Sequence, residues 1–197
     1  MDNIIERYPQ LKCCEKDIEN GLNLIIKTYK NGGKVLVCGN GGSAADCEHI
    51  VGELMKGFLS KREIDDDRLS REMKENLQGS LPAISLCSQT ALMTAFNNDL
   101  DPDYVFAQQV YGYSRENDLL IAISTSGNSK NVLKAVEVAN CIGVETLALT
   151  GCDGGKIKEK ATVTICVPST ETYKIQEYHF PIYHYLCGKV EEDFFSE

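Results

Sequence analysis

The chain has 197 residues, of which 43% are apolar and 25% charged, and its formal net charge is −9. This length suits one globular domain with a full core, or such a domain with an added helical arm. The negative charge argues against nucleic acid as a partner and suits an enzyme that binds a small anionic substrate in a local positive pocket. No apolar run approaches the ~18 residues needed to cross a membrane, so no membrane partner is expected.

The nine cysteines are an odd number and include no CxxC pair. Several of them, such as Cys38, Cys87 and Cys166, lie within apolar, strand-like runs. Reduced cysteine often serves as a small buried hydrophobic residue, whereas a disulfide scaffold is a poor alternative for a chain of this length. The first residues do not resemble a signal peptide. We therefore expect free thiols and a cytoplasmic protein.

Residues 2–30 carry apolar side chains at helical spacing, with Pro9 as a kink or boundary and glycines at 32 and 33 as the stop. They predict one or two amphipathic helices, which form an N-terminal helical arm over residues 1–33. Such an arm cannot bury its apolar stripe alone, so we expect it to pack on the sheet or on another subunit. Residues 34–197 are expected to form the main domain.

The segment 34–58 organises the rest of the chain. Its apolar run at 35–38 predicts a buried parallel strand, and helical periodicity begins at Ala44. Between them lies the glycine loop, residues 39–43 (GNGGS). A helix that begins directly after a strand and a loop has unpaired N–H groups and a partial positive charge, which suit an anion such as phosphate. A tight turn without a ligand is the alternative for this loop taken alone.

His49 and Glu53 stand four residues apart on the predicted helix and therefore project from the same face. An exposed helical pair is the ordinary explanation for this spacing. Here, however, the helix should leave the carboxyl end of a strand, where open α/β sheets bind ligands. The pair could bind a metal ion or transfer a proton there.

The remainder of the chain alternates strand and helix patterns. The polar stretch 59–79 predicts a solvated surface helix. Apolar runs at 82–87, 118–123, 145–149 and 162–167 predict four further strands, with helices at about 89–96, 103–113, 130–141 and 172–194. Because the connections are short, we expect an α/β fold with a single doubly wound, five-stranded parallel sheet flanked by helices.

A second candidate anion site is the hydroxyl loop, residues 124–129 (STSGNS), which lies between a predicted strand and a helix. Its hydroxyl groups and the N–H groups of the following helix can surround a phosphate without a lysine. A hydroxyl-rich helix cap is an equally good explanation for this loop alone. Two such loops in one domain favour a shared phosphate.

Four motifs, GNGGSA, STSGNS, LTGCDGGKI and KIQEYH, together resemble the sugar isomerase (SIS) domain family, and within it the phosphoheptose isomerase group. The resemblance extends from residue 34 to the C-terminus. STSGNS is shared by many SIS proteins. The combination of the glycine loop with His49 and Glu53, and of Gln176 with His184, is more specific to the phosphoheptose group.

The resemblance implies roles for individual residues. The implied substrate contacts are Asn40, Gly41, Gly42, Ser43, Glu53, Asn98, Asp99, Ser124, Thr125, Ser126, Ser129 and Gln176. The Asn98–Asp99 pair is expected in the turn after the second strand. The implied ligands of one Zn²⁺ per subunit are His49, Glu53, Gln176 and His184. Because Gln176 and His184 are eight residues apart, we expect them on one face of the last helix, and we expect a structural role for His179.

By the same resemblance, the chain interconverts sedoheptulose 7-phosphate and D-glycero-D-manno-heptose 7-phosphate through an enediol. Glu53 is then the base at carbon, His184 handles the oxygen proton, and zinc polarises the carbonyl. The resemblance also implies a homotetramer with the terminal helices between subunits.

The chain differs from the group's usual pattern at Lys56-Gly57, where an arginine is expected, and at Tyr173, where an aspartate is expected. The 59–79 segment is also longer than expected. Two alternatives therefore stay open, namely an isomerase of another C5–C6 sugar phosphate and a non-catalytic regulator or adaptor that binds phosphosugars. Retention of all four zinc positions favours an enzyme over the non-catalytic alternative.

Overall fold

A five-stranded parallel sheet in the order β2-β1-β3-β4-β5 forms the centre of the chain. The structure, a computed structural model, describes residues 3–196. The strands are β1 (Val35–Gly39), β2 (Ala83–Ser85), β3 (Leu119–Ile123), β4 (Glu145–Thr150) and β5 (Val163–Cys166). All four neighbouring pairs are parallel. The predicted fold class is therefore confirmed.

Helices lie between the strands and at both ends of the described chain. The α-helices are α1 (Ile4–Arg7), α2 (Glu15–Lys30), α3 (Gly42–Met55), α4 (Arg71–Asn76), α5 (Thr90–Asp99), α6 (Val105–Tyr113), α7 (Lys130–Cys141) and α8 (Thr172–Phe195). Short 3₁₀ helices span Pro9–Cys14, Pro102–Tyr104 and Lys156–Glu159.

Two apolar layers cover the sheet, one on each face. Alternate strand residues point to opposite faces, so Val37 and Ile121 join one layer while Leu36 and Leu120 join the other. Helices α2, α3 and α8 supply the first layer, and α6 and α7 supply the second. This two-sided burial explains why the strands are continuous apolar runs.

The N-terminal residues pack on the sheet within the same chain. Pro9 begins a 3₁₀ helix between α1 and α2, and Leu11, Ile18 and Ile25 are buried in the core layer formed with α8. A Cβ added at Gly21 would meet Leu147 and Ile165 at 3.1–3.3 Å, because α2 lies directly on β4 and β5. The division of the chain at residues 33 and 34 stays a prediction.

The polar segment 59–79 differs from the predicted surface helix. Only Arg71–Asn76 is helical, with the Ser70 hydroxyl accepting a hydrogen bond from Met73 N. The surface prediction is wrong at Arg62, which is only 1% exposed. Periodicity could not reveal this, because the buried partner of Arg62 lies on α8, more than a hundred residues away.

All nine cysteines are free thiols, as expected, and they lie within the described residues. Between residues 3 and 196, no helix is both long enough and apolar enough to span a membrane.

Candidate active site

The glycine loop joins β1 to α3 at the carboxyl edge of the sheet. Gly41 has a positive φ of 58°, which favours glycine. A Cβ at Gly39 would lie 2.9 Å from the backbone oxygen of Ser43, and one at Gly42 would lie 2.5 Å from Nε2 of Gln176. Close packing therefore favours glycine at positions 39 and 42, and α8 lies against the first turn of α3.

The hydroxyl loop joins the neighbouring strand β3 to α7. Ser124 Oγ donates a hydrogen bond to Ser129 Oγ at 3.0 Å, so the Ser129 hydroxyl does not cap α7, whose N-terminus has no side-chain cap. Gly127 has a φ of 63°, and a Cβ there would lie 2.0 Å from the carbonyl oxygen of Gly154. The glycine-rich turn after β4 thus packs directly against the backbone of this loop, which explains the glycines of the LTGCDGGKI motif.

An amide pair connects the glycine loop to the first turn of α7, which directly follows the hydroxyl loop. Asn40 Nδ2 donates to Asn131 Oδ1 at 2.8 Å, and Asn131 Nδ2 donates to Asn40 Oδ1 at 2.9 Å. The structure thus brings together the two loops that the sequence predicted as one anion site. Sequence analysis missed Asn131; its only signal was an amide in the first turn of the helix after STSGNS.

A second group of polar side chains lies further along α3 and α8. Nε2 of His49 is 3.0 Å from Oε1 of Glu53 and 3.2 Å from Nε2 of His184. The three candidate ligand atoms all lie within 4.8 Å of one another. Two helices far apart in sequence therefore contribute to one cluster, which we call the His/Glu/His cluster.

Aromatic rings enclose the His/Glu/His cluster. The ring of His184 has its centroid 4.2 Å from that of Phe180 and 5.4 Å from that of Phe58. Burial, with a smaller contribution from His49, lowers the pKa of His184, while Glu53 acts in the opposite direction. His184 is therefore neutral and able to accept a proton near pH 7.

The His/Glu/His cluster suits a divalent metal ion. It combines two imidazoles and a carboxylate, a ligand set that zinc accepts. The second carboxylate oxygen of Glu53, Oε2, is buried and has no hydrogen-bond partner among the described residues. Its charged neighbour is the exposed Lys56, whose Nζ is 3.9 Å away. A buried carboxylate oxygen without a hydrogen bond, in a side chain that contacts an imidazole, is an environment that a bound cation would stabilise.

Gln176 contacts Gly42 rather than the cluster. Its carboxamide lies against the first turn of α3, and no hydrogen bond within residues 3–196 joins it to His49, Glu53 or His184. It thus lies beside the glycine loop, in a place that suits substrate contact. Its predicted role as a fourth metal ligand stays a prediction.

Asn98 and Asp99 lie elsewhere than expected. They are exposed in the last turn of α5, which runs on to Asp99, and not in the turn that directly follows β2. The Asn98 side chain donates a hydrogen bond to Asp99 Oδ1 at 2.9 Å. Sequence analysis ended this helix at residue 96 because the Asn-Asn-Asp run is typical of turns. Substrate contact by this pair stays a prediction.

Other residues singled out from the sequence are also placed. His179 is 0% exposed and its Nε2 lies 3.4 Å from the carbonyl oxygen of Thr150, a structural environment. Lys56 is exposed, with Nζ 3.9 Å from Oε2 of Glu53. Tyr173 is 57% exposed in the first turn of α8, where its hydroxyl donates to Glu171.

Arg62 is a further residue of this region that sequence analysis missed. Its guanidinium donates to the carbonyl oxygens of Glu53 and Leu54 at the end of α3, and to Glu191 of α8 at 2.8 Å. Glu191 also accepts the backbone N–H groups of residues 58–60. We call this the Arg62–Glu191 clamp, since it connects the two helices that carry the cluster.

Comparison with known proteins agrees with the motifs. The SIS domain profile matches residues 2–151. A phosphoheptose isomerase from Rhodospirillum rubrum is 41% identical over 185 residues, which cover 94% of this chain and 90% of that protein. The chain belongs to the SIS domain family. A second phosphoheptose isomerase, from Helicobacter pylori strain Shi470, is 42% identical over 93% of this SIS domain chain and 88% of its own length.

A solved structure places the chain more narrowly within the SIS domain family. The phosphoheptose isomerase of Neisseria gonorrhoeae superposes with a TM-score of 0.80 at 34% identity, covering 94% of this chain and 91% of its own. The chain thus belongs to the phosphoheptose isomerase group, and the prediction of an isomerase of this type is confirmed.

Proposed function

We propose that the chain interconverts sedoheptulose 7-phosphate and D-glycero-D-manno-heptose 7-phosphate as an aldose–ketose isomerase. The observation that carries the proposal is the proximity of Glu53 on α3 to His184 on α8. Helix α3 begins at the glycine loop, so it connects this loop to the cluster. The named activity of the relatives supports the heptose as substrate.

In the proposed reaction the substrate phosphate binds between the glycine loop and the hydroxyl loop. The N-termini of α3 and α7 and the hydroxyls of Ser124, Thr125, Ser126 and Ser129 supply donors for it. The carbonyl end of the sugar then reaches the His/Glu/His cluster, which lies further along α3 and on α8.

Isomerisation requires one proton to move between adjacent carbons and another between their oxygens, by way of a cis-enediol. Glu53 accepts the proton from carbon and returns it to the neighbouring carbon. His184, kept neutral by its lowered pKa, carries the proton between the oxygens. Each positioned acid or base typically contributes ~10²–10⁴-fold to the rate.

The proposal includes one Zn²⁺ per subunit, held by His49, Glu53 and His184, with Gln176 as the expected fourth ligand. Two imidazole nitrogens and a carboxylate oxygen within 4.8 Å of one another support this. When bound, such an ion acts as a Lewis acid that polarises the substrate carbonyl.

Solvent deuterium exchange tests the function directly. The protein, with and without added zinc, is incubated in D₂O with a panel of C5, C6 and C7 ketose phosphates, and NMR follows uptake at carbons 1 and 2. We expect exchange with sedoheptulose 7-phosphate. Exchange only with a shorter sugar would make the heptose assignment wrong, and no exchange with any sugar would favour a non-catalytic phosphosugar-binding protein.

We further propose a homotetramer in the cytoplasm. Helix α5 has no buried residue within the described chain, although half of its residues are apolar, and this supports burial against another subunit. The nine free thiols support a reducing compartment.

A further inference from the structure

Tyr183, which no motif includes, contacts the ring nitrogen of His49 that faces away from the His/Glu/His cluster, and Asp46 contacts Tyr183 in turn. The hydroxyl oxygen of Tyr183 lies 3.1 Å from Nδ1 of His49 and 3.3 Å from Oδ1 of Asp46. Tyr183 is 2% exposed, and Oδ2 of Asp46 is buried without a partner in the described chain. The three groups form a chain of contacts that ends at the imidazole.

The phenol of Tyr183 has one proton to donate, and the two possible acceptors are not equivalent. If the proton goes to His49, Asp46 loses the one hydrogen bond that its side chain has, and both of its oxygens are left without a donor. Burying an unpaired carboxylate costs more than burying an unpaired neutral group. If the proton goes to Asp46, Nδ1 of His49 must carry a hydrogen and donate it to the phenol oxygen. This arrangement pairs all three groups, while Glu53 loses its donor at Nε2 of His49 and is left to the ion of the proposed function.

We infer that Asp46 and Tyr183 are positioning residues that hold His49 in its Nδ1–H tautomer. Nε2 of His49 then keeps its lone pair for the ion that the proposed function assigns to the cluster, and the inference rests on that function. Metal-binding histidines commonly donate their second N–H to an oxygen, which sets both the tautomer and the ring orientation.

A competing contact makes this inference testable. Oε1 of Glu53 is 3.0 Å from Nε2 of His49 and would favour the opposite tautomer, in which Nε2 donates to the carboxylate. The balance between Asp46 with Tyr183 on one side and Glu53 on the other decides which nitrogen carries the hydrogen. A substitution of Asp46 or Tyr183, with Glu53 unchanged, should therefore shift the tautomer of His49.

Three variants separate the possibilities. Tyr183→Phe removes the hydroxyl and keeps the ring, and Asp46→Asn keeps the size but allows an amide N–H to face the phenol. In the second case the phenol proton turns to His49, which then takes the Nε2–H form. Tyr178→Phe is the matched control, because Tyr178 lies on the same helix and no hydrogen bond of its hydroxyl is found in the described residues.

The first measurement is long-range ¹H–¹⁵N NMR of the metal-free protein at a pH well above the ordinary histidine pKa of ~6.5. The chain has three histidines, so single substitutions assign every signal. We expect the Nδ1–H form of His49 in the wild type and in Tyr178→Phe, and the Nε2–H form in Asp46→Asn. An Nε2–H form in the wild type, or no change in Asp46→Asn, would overturn the inference.

The second measurement is the affinity for zinc, determined by competition with a chromophoric chelator. We expect Asp46→Asn and Tyr183→Phe to bind zinc ~10–100-fold more weakly, while Tyr178→Phe matches the wild type. Wild-type affinity in both variants, with thermal unfolding unchanged, would contradict the positioning role. Because the NMR readout needs neither metal nor substrate, a failure of the deuterium-exchange test would refute the proposed function without deciding the tautomer.

Discussion

At the level of single residues, the two histidines of α8 differ in burial and in their surroundings. His184 is half-buried and reaches the cluster, whereas His179, five residues earlier, faces the core and is 0% exposed. Burial lowers the pKa of His179 to about 4. The chemistry of each histidine is therefore set by the face of the helix on which it lies.

Replacing the proposed base tests the mechanism at this scale. We expect Glu53→Gln to lower kcat by ~10²–10⁴-fold, because the amide cannot accept the carbon-bound proton. Binding of the sugar phosphate, measured by calorimetry, should persist, since the glycine loop and the hydroxyl loop are untouched. Glu48→Gln is the matched control on the same helix, where Glu48 is exposed and accepts a hydrogen bond from Ser88. Full activity of Glu53→Gln would remove this residue from the mechanism.

His179 predicts a pH dependence of stability. Its folded pKa of about 4 lies below the unfolded value of ~6.5, so the unfolded state binds a proton that the native state does not. This histidine therefore costs no stability above pH ~6.5, and up to ~3 kcal/mol is lost as the pH falls toward 4. Between pH 7.5 and 5, we expect the free energy of unfolding to fall by ~2 kcal/mol less in His179→Gln than in the wild type, as measured by urea unfolding. Parallel losses in both proteins would contradict the assignment.

At the level of elements, the Arg62–Glu191 clamp connects α3, the 58–60 segment and α8. Both charged side chains are buried, at 0% and 3% exposure. The Arg62 guanidinium donates to the carbonyl oxygen of Glu53 near the end of α3. The Glu191 carboxylate, which binds this guanidinium, also accepts the backbone N–H of Phe58, whose ring contacts His184. The irregular segment thus contributes to the geometry of the cluster.

Loss of the clamp should be costly. We expect Arg62→Met to lower the free energy of unfolding by ~3–5 kcal/mol, since it leaves the Glu191 carboxylate buried without its charged partner. Lys61→Met serves as the control, because Lys61 is the exposed neighbour of Arg62. Its substitution should change the free energy of unfolding by less than ~0.5 kcal/mol. Equal values for the two variants in denaturant unfolding would show that the clamp does not stabilise the fold.

At the level of the whole molecule, an exposed apolar surface lies on the α5–α6 side. Leu100 is 61% exposed and Tyr111 is 69% exposed, and with Phe96 and Tyr104 they line a groove of about 370 Å³. The terminal helices, by contrast, bury most of their apolar side chains within the chain itself. Exposed apolar patches of this kind are typical of contacts between subunits.

The proposed homotetramer can therefore be tested on this surface. We expect a tetramer by light scattering at micromolar concentration, and smaller species for the double variant Leu100→Asp/Tyr111→Arg, because charges would be buried in the contact. Met73→Asp is the control on α4, where the side chain is 52% exposed. A monomeric wild type would contradict the tetramer, and an intact tetramer in the double variant would exclude this surface from the contact.

The sequence by itself determined the sheet, the positions of the glycine and hydroxyl loops between strand and helix, and the pairing of His49 with Glu53 on one helix face. Apolar runs bounded by glycine, and helical spacing after them, depend on neighbours along the chain, so periodicity was enough. Periodicity did not predict the end of α5 correctly, because an Asn-Asn-Asp run has the composition of a turn whether or not a helix continues through it.

Only the tertiary structure decided which distant side chains meet. The burial of Arg62 depends on Glu191, the junction of the loops depends on Asn40 with Asn131, and the environment of His49 depends on Tyr183. These contacts join segments that are distant in sequence. Their energies come from pairing charges, donors and acceptors, which a local sequence pattern describes only as polar residues.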